Sequence, residues 1–149
     1  MSLKLWLPLD NNMNNLGTGS ASPTITTTPA YVSGGKTGGA AMGQGACKWS
    51  AAQAKEILNN DEITIAFWIK ALNTSSGQIF GTGGMGEKNN RKFAVFAYPN
   101  GNDLHLSWMN DAASTTFIGG VWSNVFPTGV WTHCCITYKN PLVTIYMNG

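Results

Sequence analysis

The chain has 149 residues and a net charge of +2, and only 11% of its residues are charged. This length is sufficient to bury a core, and we expect a single domain over residues 1–149. The nine basic residues are scattered rather than clustered, which argues against a nucleic-acid partner. No segment approaches the roughly 20 apolar residues of a membrane span, and Pro8 and Asp10 interrupt the N-terminal apolar run, so we expect neither a membrane span nor a signal peptide.

The first third of the chain alternates between short extended segments and polar or glycine-rich loops. Three leucines recur with a period of two, which predicts a strand over residues 3–7. Residues 24–32 are rich in β-branched side chains and are predicted to be extended, with Pro29 as a break. Residues 33–45 contain six glycines and are predicted to form a mobile loop that leads into a strand at 46–49.

The middle of the chain is predicted to hold one short helix among several strands. Ser50 and Gln53 have the spacing of a capping box, which predicts a surface helix over residues 51–58. Residues 63–70 are apolar at both alternating sets of positions, which is typical of a central strand covered on both faces. Further strands are predicted at 78–81, 91–98, 104–109 and 114–118, followed by a loop at 121–126 that bears Trp122 and Phe126.

The C-terminal segment is predicted to form a hairpin. Residues 131–138 and 142–147 are rich in aromatic and β-branched residues, and Pro141 lies in the turn between them. Because side chains alternate between the two faces of a strand, six residues are predicted to face the core. These are Cys134, Ile136, Tyr138, Val143, Ile145 and Met147. The opposite face is predicted to carry His133, Cys135, Thr137, Thr144 and Tyr146, joined by Trp68 from the strand at 63–70.

The three cysteines are predicted to be buried free thiols. Cys134 and Cys135 are neighbours on a strand and face opposite sides, so they should not pair with each other. Their number is odd and their spacing matches no zinc site, which makes a disulfide or a metal the less favoured alternative. Free thiols suit synthesis in a reducing cytoplasm.

Three short motifs, at the start, the middle and the end of the chain, carry a family resemblance. The C-terminal hairpin has Trp131, then His133, and closes in a Tyr-Met-Asn-Gly run at 146–149. Residues 62–70 and 3–10 supply the other two motifs. Together they resemble the laminin G-like, concanavalin A-like modules of bacteria and phages, including those of phage tail and virion proteins. Short strands at regular intervals agree with that resemblance, and we expect an antiparallel concanavalin A-like β-sandwich, or jelly roll, with one short surface helix.

The resemblance also implies that some strands are missing. Modules of this kind usually continue for several strands after the hairpin, and the last of these pairs beside the first strand. We therefore expect that the chain lacks the last strands of the family and that the strand at 3–7 is an open edge. Three alternatives follow: strand addition by a second copy or a larger assembly, pairing within the chain, or a fragment of a longer protein.

The carboxylates do not have the spacing of a glycosidase site. Glycoside hydrolysis needs two carboxyl groups about 5–10 Å apart. Asp61 and Glu62 are adjacent and would face opposite sides of a strand, and the Glu-x-Asp-x-Glu run of the superfamily's glucanases is missing. A nucleophilic pair of His133 and Cys135 is less expected than a packed sheet surface. We therefore expect no catalytic residue. No metal or cofactor is expected either, since the acids form no calcium-binding cluster, although the resemblance makes calcium an open alternative.

The remaining residue types favour carbohydrate binding. Aromatic rings can stack on sugar rings while amides and hydroxyls bond to sugar hydroxyls, and the chain has six Trp, four Tyr and 15 Asn. The candidate ligand-binding residues are Trp68, His133, Tyr146, Trp122, Asn110 and Asp111.

We therefore expect a non-catalytic carbohydrate-binding or adhesion module of a phage virion or bacterial surface protein. Its partner would be a glycan or cell-surface polysaccharide, and it would act on the virion or outside the cell. The alternative is a structural or decoration protein of a virion that binds no sugar. A glycosidase whose acids converge from distant loops is the third possibility.

Overall fold

A computed structural model describes residues 5–9, 12, 14–19, 22–42, 46–50, 53, 62–72, 77–81, 93–98, 102–109, 117–139 and 142–149. Within these ranges lie eleven strands, all paired antiparallel. They are β1 (Thr24–Thr27), β2 (Ala30–Ser33), β3 (Gly39–Met42), β4 (Ala46–Lys48), β5 (Glu62–Lys70), β6 (Gly77–Gly81), β7 (Phe93–Tyr98), β8 (Asp103–Met109), β9 (Phe117–Trp122), β10 (Trp131–Lys139) and β11 (Leu142–Met147). The chain divides into two compact units, residues 1–60 and 61–149.

The first unit contains two small sheets, in which β1 pairs with β4 and β2 pairs with β3. Pro29 separates β1 from β2, as predicted. The prediction of a loop throughout residues 33–45 is wrong, because β3 forms there and places its small alanines opposite β2. The turn is confined to residues 34–38. It needs glycine at Gly34 and Gly38, whose φ angles are +87° and +72°.

The predicted N-terminal strand is not formed by the described residues 5–9. The Trp6 N–H donates to Asn15 Oδ1 at 2.9 Å, and the Leu16 N–H donates to the Trp6 carbonyl at 2.9 Å. Leu9 has a φ of +62°, which also departs from an extended strand. A local loop therefore satisfies both backbone groups of Trp6. Self-association through this segment stays a prediction.

The predicted capping box is confirmed. The Gln53 N–H donates to Ser50 Oγ at 3.3 Å, and the Ser50 N–H donates back to Gln53 Oε1 at 2.9 Å. The rest of the predicted helix, residues 51–52 and 54–58, lies outside the described residues. In those ranges that are described, no helix is long and apolar enough to cross a membrane.

The second unit contains a three-stranded sheet in the order β11-β10-β5. The predicted hairpin of β10 and β11 is confirmed, with Cys134 opposite Met147 and Ile136 opposite Ile145. The prediction that β5 is a central strand covered on both faces is wrong. Among the described strands only β10 pairs with β5, and one face of β5 is exposed from Glu62 to Lys70.

A four-stranded sheet in the order β6-β7-β8-β9 completes the second unit's described strands. The predicted hairpin of β7 and β8 is confirmed, and Leu104 and Leu106 are buried on one face of it. The prediction of a loop from residue 121 is wrong, because β9 continues to Trp122. A Cβ atom at Gly120 would lie 3.1 Å from the Trp122 ring, so the glycine leaves room for the indole while the strand continues.

The core of the second unit includes the inner residues of β10 and one loop aromatic. Cys134, Ile136 and Tyr138 are buried, as predicted, and so is Phe126. The Phe126 N–H donates to the Asn102 carbonyl at 2.9 Å, which fixes this loop to the start of β8. All three cysteines are free, as predicted, but only Cys134 is buried, whereas Cys47 and Cys135 are half-buried. Burial, with a smaller contribution from Cys135, raises the pKa of the Cys134 thiol to about 11, so at neutral pH it is protonated and inert.

Candidate functional site

The exposed side of the three-stranded sheet brings predicted site residues together. Residues opposite one another in an antiparallel pair lie on the same face, so the register defines this surface. We call it the outer face. It consists of Glu62, Thr64, Ala66, Trp68 and Lys70 from β5, Trp131, His133, Cys135, Thr137 and Lys139 from β10, and Leu142, Thr144 and Tyr146 from β11.

The outer face is ordered in rows that run across the strands. At one end Lys139 Nζ forms an ion pair with Glu62 Oε1 at 2.8 Å. This pairing raises the pKa of Lys139 through the hydrogen bond and the charge of the carboxylate. The next row consists of three threonines, one from each strand: Thr144, Thr137 and Thr64. One edge of the surface therefore offers charges and hydroxyl groups.

The other end of the outer face is aromatic. His133 lies opposite Trp68, and their ring centroids are 5.0 Å apart with an interplanar angle of 51°. Trp131 lies opposite Lys70 in the last row. Trp68 is 45% exposed and Tyr146 is 47% exposed, so both rings can contact a ligand.

Trp68 and Tyr146 form two separate aromatic platforms. They lie on β5 and β11, with β10 between them, and their rows are one two-residue step apart. Their Cα atoms are therefore separated by about 12 Å, from two strand spacings and two residue steps. A ligand that contacts both rings must therefore span about 12 Å.

Asn148 forms two hydrogen bonds with β10 at the aromatic end of the outer face. The sequence alone did not identify this residue. The His133 N–H donates to Asn148 Oδ1 at 3.0 Å, and the Asn148 N–H donates to the His133 carbonyl at 2.9 Å. Asn148 adopts a φ of +59°, a conformation that asparagine tolerates better than most residues. The asparagine of the closing Tyr-Met-Asn-Gly run therefore fixes the strand that carries His133.

The remaining candidate residues are Trp122, Asn110 and Asp111. Trp122 lies on the four-stranded sheet, opposite buried Leu104 and against Gly120. It is 37% exposed and ends β9 rather than lying in a loop, and it is not part of the outer face. Asn110 and Asp111 lie outside the described residues.

The described residues supply two of the seven acids, Glu62 and Asp103. Glu62 is paired with Lys139, and Asp103 Oδ1 accepts the Asn124 N–H at 2.8 Å on the other sheet. In the described ranges, no group of three or more His, Cys, Asp or Glu side chains could hold a metal ion. The other five acids lie outside those ranges, so the lack of a catalytic pair stays a prediction.

Comparison with known proteins identifies the family. The sequence model of a laminin G-like family, described as the concanavalin A-like lectin/glucanases superfamily, matches residues 41–149, about three quarters of the chain. No curated protein and no solved structure matches the chain. The matched region includes both sheets of the second unit, and their antiparallel pairing agrees with the predicted all-β sandwich. The chain thus belongs to the concanavalin A-like lectin/glucanases superfamily.

Proposed function

We propose that this protein is a non-catalytic carbohydrate-binding module whose binding surface is the outer face. The observation that carries the proposal is the pair of exposed rings, Trp68 and Tyr146, on a surface that also presents a row of threonine hydroxyls. Aromatic rings offer flat apolar contact to the C–H face of a sugar, and hydroxyl groups can bond to its polar edge.

The sheet does not depend on these two exposed rings for its stability. The inner residues of the same strands are buried and supply its apolar contacts. Exposed aromatic groups rimmed by polar side chains are typical of interaction surfaces. A binding role explains why the large rings stand on the solvent side.

The described charges support binding without hydrolysis. A glycosidase uses two carboxyl groups about 5–10 Å apart. The outer face carries a single carboxylate, Glu62, and Lys139 is bonded to it. Among the described residues, this surface thus lacks the second carboxyl group that cleavage requires.

The resemblance to phage and bacterial modules suggests the biological setting. We propose that the protein acts in adhesion, on a virion or at a bacterial surface, where its ligand is a glycan or cell-surface polysaccharide. The proposed setting rests on the three motifs described above.

The proposal is tested by measuring binding of the whole chain to a panel of bacterial and host glycans. Trp68→Ala and Tyr146→Ala should each weaken binding by about tenfold or more, because loss of a buried aromatic contact removes roughly 1.5–3 kcal/mol. Trp6→Ala is the matched control, since Trp6 is 52% exposed and is not part of the outer face. It should leave glycan binding unchanged.

Two outcomes would contradict the proposal. Failure to bind any glycan, combined with tight binding to a virion assembly, would favour a structural or decoration protein instead. Release of reducing sugar from a bound glycan would show a glycosidase.

A further inference from the structure

The charges on the outer face are distributed unevenly. Glu62 and Lys139 neutralise one another at one end, with 2.8 Å between their charged atoms. Lys70 stands at the opposite end, exposed, and forms no ion pair with any acid in the described part of the chain. Among the described residues, the outer face therefore has one positive charge without a paired acid, and it lies at the aromatic end.

Lys70 is also close to the proposed aromatic platform. It lies two residues after Trp68 on the same face of β5, a step of about 7 Å along the strand, and opposite Trp131 on β10. A ligand ring stacked on Trp68 would thus place its substituents within reach of the long, flexible lysine side chain. The ammonium group of lysine acts as a point charge for carboxylate, sulfate or phosphate groups.

We infer that the glycan bound by the outer face is acidic, with an anionic substituent directed toward Lys70. This inference rests on the proposed function and adds the charge class of the ligand. The sugar backbone contacts Trp68 and Tyr146, and Lys70 selects for the negative group. The paired Lys139 contributes little to this selection, because Glu62 already compensates its charge.

The experiment compares matched acidic and neutral glycans. The probes are uronate oligosaccharides with their carboxyl-reduced counterparts, sulfated with desulfated glycans, and phosphorylated with dephosphorylated ones. These arms also distinguish the three sources of the anionic group. Binding of the whole chain is measured by calorimetry at low and at high salt. In at least one pair the acidic member should bind about fivefold more tightly at low salt, the scale of an exposed ion pair, and the preference should disappear at about 1 M salt.

Three variants test the role of Lys70. Lys70→Gln should abolish the acidic preference while binding to the neutral member persists, and Lys70→Arg should retain the preference because it keeps the charge. Lys139→Gln is the matched control on the same face and should leave the preference intact.

The possible failures separate the inference from the function on which it depends. If acidic and neutral members bind equally and Trp68→Ala abolishes both, the sugar-binding proposal stands and the inference is overturned. If the acidic preference survives in Lys70→Gln, Lys70 does not recognise the anion and the inference is again overturned. If no member of any pair binds, both proposals fail.

Discussion

The two faces of the three-stranded sheet are built from the same strands, yet they have different environments. On β10, buried and half-buried residues alternate from Trp131 to Tyr138. Cys134 and Ile136 are buried on the inner face, whereas Cys135 and Thr137 are partly exposed on the outer face. Because successive side chains point to opposite faces, one strand carries stabilising residues on its inner face and the residues proposed for binding on its outer face. Substitutions on the inner face should mainly change folding, and those on the outer face should mainly change binding.

The largest expected contrast is between neighbouring residues of β10. Ile136→Ala should lower the free energy of unfolding by about 3 kcal/mol, because it opens a cavity in a packed site. Thr137→Ala should change it by about 0.5 kcal/mol or less, because its side chain is on the outer face. Urea unfolding of both variants measures the difference. Equal losses of stability would show that the outer face is packed as well, and would contradict the proposed difference between the two faces.

Much of this contrast could be predicted from the sequence. The alternation in the C-terminal hairpin correctly assigned Ile136 and Tyr138 to the buried face and His133 to the other one. Trp68 was correctly placed beside His133, since the residue pattern of β5 has the same period. Local alternation is reliable here because both strands are long and their register is regular.

Other features depended on contacts that no local pattern reveals. Residues 63–70 are apolar at most positions, and only the pairing of β5 with one described neighbour showed that Trp68 is exposed. The leucine alternation at 3–7 competes with a loop in which the Trp6 N–H donates to Asn15 Oδ1 and the Trp6 carbonyl accepts the Leu16 N–H. The acidic preference proposed for Lys70 required knowing that Lys139, and not Lys70, pairs with Glu62. That partner choice follows from strand register.

A second consequence of the two environments is a pH dependence of stability. Burial holds the Cys134 thiol protonated up to about pH 11, whereas an unfolded thiol ionises near its ordinary pKa of 9.0. Between these values the unfolded chain has lost a proton that the folded chain keeps, so rising pH favours unfolding. The contribution of Cys134 should be fully present below pH 9 and should be lost progressively between pH 9 and about 11.

The measurement is the urea midpoint as a function of pH, in the parent chain and in Cys134→Ala. Burial raises the pKa of Cys47, and the bond to Glu62 raises the pKa of Lys139, so only the difference between the two chains isolates Cys134. The variant should be less stable at pH 7 but should lose less stability above pH 9. Parallel curves would show that the Cys134 thiol has the same pKa in the folded and the unfolded chain, and would contradict the prediction.

The smallest expected effect concerns a polar side chain on the buried inner face. Thr132 is 1% exposed on the inner face, and its Oγ1 has no hydrogen-bond partner among the described residues. Valine has the same shape without the hydroxyl, so Thr132→Val should raise the free energy of unfolding by about 1 kcal/mol, since an unsatisfied buried hydroxyl costs about 1–3 kcal/mol. Thr137→Val, on the outer face of the same strand, is the control and should change it by about 0.5 kcal/mol or less. A clear loss of stability in Thr132→Val would mean that the hydroxyl is bonded in the folded chain, and that the inner face holds a polar contact its burial alone does not reveal.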